Sequence, residues 1–265
     1  MTKSIKYKDI PVYYTVEGEG MPLLFLHGYL ESSVIWSDFA SGFTNKYKVI
    51  CVDIPGHGKS GILGSIHSME DMAEVVGAVL DAEGAGKVVL FGHSMGGYLT
   101  MEFVSKYPGR TAGYCLFHST CFADNEEKKL NREREISLVQ CGKKMQIIHT
   151  NIPKGFADKN LDKLEVEIRR VKEIASGCPD EGIIALLNGM KARKDHTPTL
   201  KRDDLKSLFI WGERDNYIGE SVFRKMTEIA PHASVLVLKN SGHMGFIEEP
   251  EEARAGIIKF LDQIQ

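Results

Sequence analysis

The sequence predicts an α/β protein, in which a mostly parallel sheet is flanked by helices and interrupted by an inserted helical module. Short apolar runs alternate with stretches of helical periodicity over most of the chain, and this alternation is typical of parallel strands joined by crossover helices. A charge-dense stretch in the middle lacks convincing apolar strands. Because the alternation resumes after it, we expect one domain with an insertion rather than two successive domains.

The first strand signals lie near the N-terminus. Residues 5–7 and 12–16 predict a short hairpin at one edge of the sheet. Residues 23–26 and 48–52 are compact apolar runs bounded by breakers, which suit strands buried on both faces. These four segments predict how the sheet begins.

A helix is predicted over residues 68–83, where apolar side chains recur at offsets of three and four, with Ser68 as its N-cap. Residues 87–91 predict a strand, 98–107 a helix and 112–117 a further strand. Strand, helix and strand in this order indicate parallel strands with crossovers.

The predicted insertion is a helical cap over residues 119–204, and residues 1–118 with 205–265 form the predicted core domain. We interpret the dense charges of the insertion as a solvent-exposed helix face rather than a binding patch. Its apolar residues are interpreted as the core of the cap rather than a pocket lining; they are Met145, Ile147, Ile148, Phe156, Leu186, Leu187 and Met190. The helical segments of the insertion are 125–141, 161–175 and 180–192. Beyond it we predict strands at 207–211 and 233–238, and helices at 220–229 and 249–264.

Composition and charge exclude several classes of protein. The 265 residues are 43% hydrophobic and 26% charged, as is ordinary for a soluble globular enzyme. A formal net charge of −3 gives no reason to expect nucleic acid or an anionic membrane as partner. No apolar window approaches the roughly 20 residues of a membrane span, and the lysine-containing N-terminus carries no secretory signal. Five cysteines without a C-x-x-C pair predict reduced thiols, buried at Cys51 and Cys115, and a cytoplasmic location.

The sharpest chemical signal is Gly92-His93-Ser94-Met95-Gly96, which lies between a predicted strand and a predicted helix. Glycines two residues before and two after the serine let the backbone form a cramped strand-to-helix turn. The turn exposes the serine hydroxyl and places a helix N-terminus beside it, where developing negative charge is favoured. Ser94 is therefore the candidate nucleophile.

A serine nucleophile needs a base to take its proton and an acid to orient that base. Asp215 and His243 each follow a predicted strand, as Ser94 does. Since the carboxyl ends of parallel strands share one edge of a sheet, we expect these three side chains to meet there. Glu213 in the same loop stays an alternative to Asp215, because spacing alone does not exclude it.

Acyl transfer also needs hydrogen-bond donors for an oxyanion. The candidates are the backbone N–H of Met95, directly after the nucleophile, and that of Tyr29, in a loop where Gly28 permits close approach to the turn. No cofactor is predicted, because the glycine-rich turn lacks the G-x-G-x-x-G spacing of a dinucleotide loop. No metal is predicted either, because no run of His, Cys, Asp or Glu has ligand spacing.

Together, several blocks of the chain resemble the α/β-hydrolase superfamily. They are Leu26-His27-Gly28, Asp53 to Ser60, Gly92 to Gly97, Gly212-Glu213-Arg214-Asp215 and Gly242-His243 with Glu248-Glu249-Pro250. The resemblance runs from about Leu23 to Pro250 and implies the α/β-hydrolase fold with a variable helical cap. The serine nucleophile argues against the dehalogenase and epoxide hydrolase branches, which carry aspartate there. Many relatives have proline shortly after the acid, where this chain has Asn216-Tyr217-Ile218.

The resemblance implies several reactions, of which hydrolysis of small carboxylic esters is the first expectation, with a small acyl molecule as the partner. Carbon–carbon bond hydrolysis of a diketone-type acid and a lyase reaction of the menaquinone-pathway type keep the same triad. Both act on anionic substrates and would use an arginine, for which the candidates are Arg132, Arg134, Arg169, Arg170 and Arg193. A ligand receptor on the same fold is the alternative of another class. The sequence carries no signal for an oligomeric state.

Overall fold

The computed structural model describes residues 1–264, and its centre is an eight-stranded sheet. The strands are β1 Thr2–Tyr7, β2 Ile10–Glu17, β3 Met21–Leu26, β4 Tyr47–Val52, β5 Val88–His93, β6 Thr111–Phe117, β7 Lys206–Gly212 and β8 Ser234–Leu238. Their spatial order is β1-β2-β4-β3-β5-β6-β7-β8. The pairs β1–β2 and β2–β4 are antiparallel, and the other neighbours are parallel. The predicted fold class, a mostly parallel sheet flanked by helices, is confirmed.

Helices cover both faces of this sheet. They are α1 Ser37–Ala40, α2 Met69–Ala82, α3 Met95–Lys106, α4 Glu126–Gln140, α5 Lys144–Lys154, α6 Glu165–Ser176, α7 Asp180–Ala192, α8 Thr197–Leu200, α9 Glu220–Ile229, α10 Gly245–Glu248 and α11 Pro250–Leu261. Within residues 1–264, none of the helices has the length and apolar character that crossing a membrane requires.

The central strands are apolar without interruption because both of their faces are covered. Leu24 and Leu26 of β3 belong to the apolar cluster that contains α2 and α3. Leu23 and Phe25 belong to the cluster that contains α1 and α11. Successive side chains of a strand point to opposite faces, so β3 contributes to both cores.

The helix predicted over residues 68–83 is confirmed as α2, and its N-cap is the predicted one. Ser68 Oγ accepts a hydrogen bond from the backbone N–H of Asp71 at 3.1 Å. Glu70 and Asp71 also place negative charge in the first turn, where the helix dipole favours it.

Between β6 and β7 the described chain is helical, from α4 to α8. The predicted helical segments correspond to α4, α6 and α7, whereas α5 was missed. Met145, Ile148 and Ile152 of this helix recur at helical offsets, but Pro153 lies in its last turn and interrupts the pattern. The division of the chain into a core and a cap at residues 119 and 204 stays a prediction.

All five cysteines are free thiols in this structure. Cys51 of β4 and Cys115 of β6 are buried, as predicted, and burial raises the pKa of both. Cys141, at the end of α4, is exposed.

Candidate active site

The predicted site residues gather at the carboxyl edge of the sheet. Ser94 follows β5, Asp215 follows β7 and His243 follows β8, and these strands are parallel. A cavity of about 500 Å³ opens at this edge, lined by Ser94 and His243 together with Tyr29 and Met95. The structure therefore brings the five predicted residues into one region, with Asp215 buried behind His243.

The turn that carries Ser94 has an unusual backbone. Ser94 has φ 49° and ψ −114°, a conformation that is costly for a residue with a side chain. Its carbonyl oxygen accepts a hydrogen bond from Ser119 Oγ at 2.6 Å, and its N–H donates to the Phe117 carbonyl at 3.0 Å. A Cβ on Gly96 would lie 2.3 Å from the Leu26 carbonyl oxygen, so this position requires glycine. Neighbouring strand ends thus hold the serine in place.

His243 and Asp215 form a buried hydrogen-bonded pair. His243 Nδ1 lies 2.8 Å from Asp215 Oδ2, and Asp215 Oδ1 accepts from the backbone N–H groups of Tyr217 at 2.8 Å and Ile218 at 3.0 Å. Burial alone would raise the pKa of Asp215, but the electrostatic interaction with His243 and the hydrogen bonds from His118 and His243 hold that pKa far below its ordinary value. A carboxylate that stays ionised fixes the imidazole proton on Nδ1, which leaves Nε2 free to act as a base.

The alternative acid, Glu213, does not contact His243. Its side chain is exposed, whereas Asp215 is buried and aimed at the imidazole. The acid loop lacks proline and is held instead by α5. Asn216 Nδ2 donates to the Lys154 carbonyl at 3.1 Å, and the Tyr217 hydroxyl donates to the Asn151 carbonyl at 2.8 Å.

The two predicted oxyanion donors lie in the same cavity as Ser94. Met95 is the first residue of α3, and Tyr29 belongs to the loop that follows β3. Gly28 lets this loop approach the turn, because a Cβ there would lie 2.8 Å from His93 Nδ1. The roles of the Met95 and Tyr29 N–H groups stay predictions.

Sequence reasoning missed His118, which directly follows β6 at the same edge. Its Nδ1 lies 3.4 Å from Asp215 Oδ2, and its Nε2 accepts a hydrogen bond from the Gly245 N–H at 3.1 Å. Burial lowers the pKa of His118 to about 4, although Asp215 opposes the shift. The imidazole is therefore neutral at pH 7, and it contacts the same oxygen, Oδ2 of Asp215, that His243 contacts. Its position after a strand was the signal that could have found it.

His118, Asp215 and His243 are also a group of potential metal ligands, with donor atoms within 4.8 Å of one another. Ligand spacing in the sequence did not predict this proximity, because the three residues come from separate strand ends. Asp215 and His243 already bond each other, and backbone N–H groups of Gly212 and Gly245 each lie 3.1 Å from a ring nitrogen of His118. The contacts fit an acid–base pair better than an ion site, which would need free lone pairs.

A second buried ion pair, also missed, lies beside the turn. His93 Nδ1–H donates to Glu31 Oε2 at 3.0 Å, and the same oxygen accepts from the Gly28 N–H at 2.5 Å. His93 Nε2–H donates to the carbonyl oxygen of His243 at 2.9 Å. No periodicity connects Glu31 to His93, 62 residues further along the chain, so the sequence carried no signal for this contact.

Helix α4 fits only part of one prediction made from charge density. The interpretation of the dense charges as a solvent-exposed face fits Glu126, Glu127, Glu133 and Arg134, which are exposed. The other side of α4 lines the cavity, however, through Lys128, Asn131, Arg132 and Glu135, together with Arg134. The helix has few apolar residues, so its sequence did not show which side faces the protein. Of the seven apolar residues assigned to the cap core, Met190 lines the cavity and Met145 is exposed. The other five are buried, and so is Met190.

The candidate arginines divide into two groups. Arg132 and Arg134 line the cavity. Arg169 pairs with Glu165 on the surface, and Arg170 pairs with Asp38. Arg193 is buried, where Nη1 lies 2.6 Å from Asp124 Oδ1, and Arg132 pairs with the same carboxylate. Two guanidinium groups therefore share Asp124.

The chain is similar in sequence to known hydrolases and to one acetyltransferase component. Residues 21–137 match a family model described as alpha/beta hydrolase fold. The chain is 26% identical to a 2-hydroxy-6-oxononadienedioate/2-hydroxy-6-oxononatrienedioate hydrolase of Burkholderia vietnamiensis, over 96% of this chain and 91% of that protein. It is also 26% identical to the dihydrolipoyllysine-residue acetyltransferase component of an acetoin cleaving system of Pseudomonas putida, over 94% of this chain. The chain spans 66% of the length of that component.

Among solved structures, the fold is similar to a thermophilic esterase from Thermogutta terrifontis, described as malate bound. The TM-score is 0.94 at 26% sequence identity, over 100% of this chain and 99% of that one. The similarity therefore includes both the sheet and the helical segment between β6 and β7.

Proposed function

Because the chain belongs to the α/β-hydrolase superfamily, we propose that it is a serine hydrolase that cleaves small carboxylic esters. The observation that carries the proposal is the 2.8 Å contact between His243 Nδ1 and Asp215 Oδ2, beside a cavity lined by both His243 and Ser94. A nucleophile, a base and an orienting acid are the groups that acyl transfer requires.

The reaction proceeds in two steps. Ser94 Oγ attacks the ester carbonyl carbon while His243 Nε2 takes the hydroxyl proton, and the negative charge on the carbonyl oxygen is held by the Met95 and Tyr29 N–H groups. The carbon–oxygen bond to the leaving group then breaks, and His243 gives its proton to the departing alcohol. Water attacks the resulting acyl-serine while His243 takes the water proton. The bond between the acyl carbon and Ser94 Oγ then breaks, His243 returns the proton to Oγ, and the acid leaves.

Asp215 contributes through its charge. Its low pKa keeps it ionised throughout, so it stabilises the imidazolium that forms at His243 in each step without accepting the proton itself. The similarity to the Thermogutta terrifontis esterase supports ester chemistry for this cavity.

The test is hydrolysis of p-nitrophenyl esters of increasing acyl length by wild type and by Ser94→Ala. We expect wild type to turn over and kcat of the variant to fall by about three orders of magnitude or more. Ser41→Ala is the matched control, because Ser41 is an exposed serine away from the cavity. Equal rates in wild type and Ser94→Ala would contradict the proposal. A slow single turnover with ligand-dependent melting would favour the receptor alternative.

Carbon–carbon bond hydrolysis is the second candidate. Two observations favour it: the similarity to the Burkholderia vietnamiensis hydrolase, and the presence of Arg132 and Arg134 in the cavity wall. The same purified protein is assayed with a 2-hydroxy-6-oxo-dienedioate alongside the p-nitrophenyl esters. A kcat/KM on the dienedioate far above that on every ester would move this reaction ahead of ester hydrolysis.

A further inference from the structure

We propose that the cavity selects esters that carry a carboxylate remote from the scissile bond. The proposal rests on ester hydrolysis at Ser94 and adds the charge of the substrate. Its basis is a group of three cationic side chains, Lys128, Arg134 and Lys154, that line the cavity. Within the described residues 1–264, none of the three forms an ion pair with a carboxylate, although Lys154 lies close enough to Glu135 to oppose the rise in the pKa of that carboxyl.

The partners that these cations do have are neutral. Arg134 Nη1 donates to Asn131 Oδ1 at 3.0 Å. The Lys154 ammonium lies 5.2 Å from the centre of the Tyr217 ring. Neither partner cancels a positive charge, and both leave further N–H donors for a ligand. The cationic ends therefore stay available to an anion in the cavity.

The carboxylates of the cavity wall offset these charges only in part. Glu31 is engaged by His93 and by the Gly28 N–H. Burial raises the pKa of Glu135, although the hydrogen bond from Asn151 and the charges of Arg132 and Lys154 oppose that shift. Since Glu31 is paired with His93 and Arg132 with Asp124, three cations of the lining face one remaining carboxylate, that of Glu135.

This excess is a local feature. The whole chain has a formal net charge of −3, so the average surface is slightly negative while the cavity wall is positive. A concave, partly buried surface of one sign focuses its field and raises the local concentration of ligands of the opposite sign. A negatively charged substrate is therefore drawn to the cavity rather than to the rest of the surface.

The position of the cations determines where the substrate charge must lie. Lys128 and Arg134 belong to α4 and Lys154 ends α5, whereas Ser94 and His243 lie at strand ends. A carboxylate beside the ester carbonyl would be held at the strand ends. A carboxylate at the far end of a short acyl chain would instead lie near α4 and α5. The substrates that fit are therefore monoesters of dicarboxylic acids.

The experiment compares two methyl esters of the same acyl length, monomethyl adipate and methyl hexanoate, by methanol release. We expect kcat/KM to be at least about tenfold higher for the anionic ester, and this advantage to shrink as ionic strength rises. Arg134→Gln and Lys154→Gln should each lower kcat/KM on monomethyl adipate by about three- to tenfold and leave methyl hexanoate unchanged. Arg169→Gln is the matched control. It removes the same positive charge from an exposed position, where Arg169 pairs with Glu165.

Several outcomes would overturn the inference. If wild type cleaves methyl hexanoate as well as monomethyl adipate, or if the variants lose both activities equally, the substrate charge is not selected and the esterase proposal stands. If neither ester is cleaved, the proposed function fails, and calorimetric binding to Ser94→Ala decides the inference separately. Tighter binding of monomethyl adipate than of methyl hexanoate, weakened by Lys154→Gln, would support it; equal binding would reject it.

Discussion

The side chains of Glu31 and His93 form an ion pair that is almost completely buried, with 5% and 1% of their side-chain surface exposed. Burial by itself would lower the pKa of His93, but the Glu31 carboxylate outweighs it and raises that pKa above its ordinary value. Through the bonds to the Gly28 N–H and the His243 carbonyl, the pair joins the loop of Tyr29, the turn of Ser94 and the loop of His243. It is a positioning contact for the proposed site.

Glu31→Gln is expected to lower the free energy of unfolding by about 3 kcal/mol, because one partner of a buried pair is left without its counter-charge. The glutamine oxygen can still accept the hydrogen bond from the Gly28 N–H. The loss of unfolding free energy therefore measures the contribution of the Glu31 charge. Urea unfolding at pH 6 measures it, with Glu127→Gln on the exposed start of α4 as the control. Equal unfolding free energies for wild type and Glu31→Gln would show that the pair is not ionised.

The same variant has a pH signature. The raised pKa of His93 gives stability that is full below about pH 6.5 and is lost as pH rises through the folded-state value. The lowered pKa of Glu31 gives stability that is full above about pH 4.3 and is lost as pH falls through its folded-state value. The difference between wild type and Glu31→Gln should therefore be greatest between those two pH values. A difference that grew steadily up to pH 9 would contradict the assignment.

Asp215→Asn should lower kcat on p-nitrophenyl acetate by about 10⁴. The amide can still accept from the Tyr217 and Ile218 N–H groups, but its NH₂ group would face His243 Nδ1 and force the imidazole proton onto Nε2. Circular dichroism checks that the fold is kept, and Glu213→Gln, in the same loop, should retain wild-type kcat. A loss of less than tenfold in Asp215→Asn would rule out Asp215 as the orienting acid.

His118 should make the protein sensitive to acid. Its folded-state pKa of about 4 lies below the ordinary value of about 6.5, so the unfolded chain takes up a proton first as pH falls. Stability should decline between those two values by on the order of 3 kcal/mol. In His118→Asn this part of the decline should disappear from urea unfolding curves, whereas His232→Asn, in an exposed turn, should keep it.

Gly96→Ala should disturb the turn at Ser94. The added Cβ would lie 2.3 Å from the Leu26 carbonyl oxygen, which is backbone and can yield only if β3 and the Tyr29 loop move. We expect a loss of about 1–3 kcal/mol in unfolding free energy and a lower kcat. Gly109→Ala is the control, because no atom lies within 4 Å of a Cβ added there. Wild-type kcat in Gly96→Ala would show that the turn tolerates displacement.

Strands β3, β4, β5 and β7 could be predicted because they are short apolar runs with glycine or proline at their ends or within a few residues after them. The placement of Ser94, Asp215 and His243 at one edge followed from the rule that parallel strands end together. This rule uses only chain order and local pattern, both of which a single sequence contains.

The cavity wall could not be predicted in the same way. Helix α4 presents polar side chains to the cavity as well as to solvent, so no apolar stripe marks its inner side. The contact between Glu31 and His93 joins the loop after β3 to the end of β5, and it depends on the packing of that loop rather than on local spacing. His118 had a local signal, its place directly after β6, but its pairing with Asp215 depends on the acid loop.

The proposed bond-breaking groups and the cations of the cavity occupy separate stretches of the chain. Ser94, Asp215 and His243 follow strands, whereas Lys128, Arg134 and Lys154 belong to residues 126–154. Mutations within the 29 residues 126–154, which span α4, α5 and the turn between them, are therefore expected to alter substrate preference more than the chemistry, except at the end of α5 that holds the acid loop. For directed evolution, a mutant library confined to these two helices is a small one in which to select new substrate preferences. Natural divergence in substrate preference is expected to change the sequence of the same two helices.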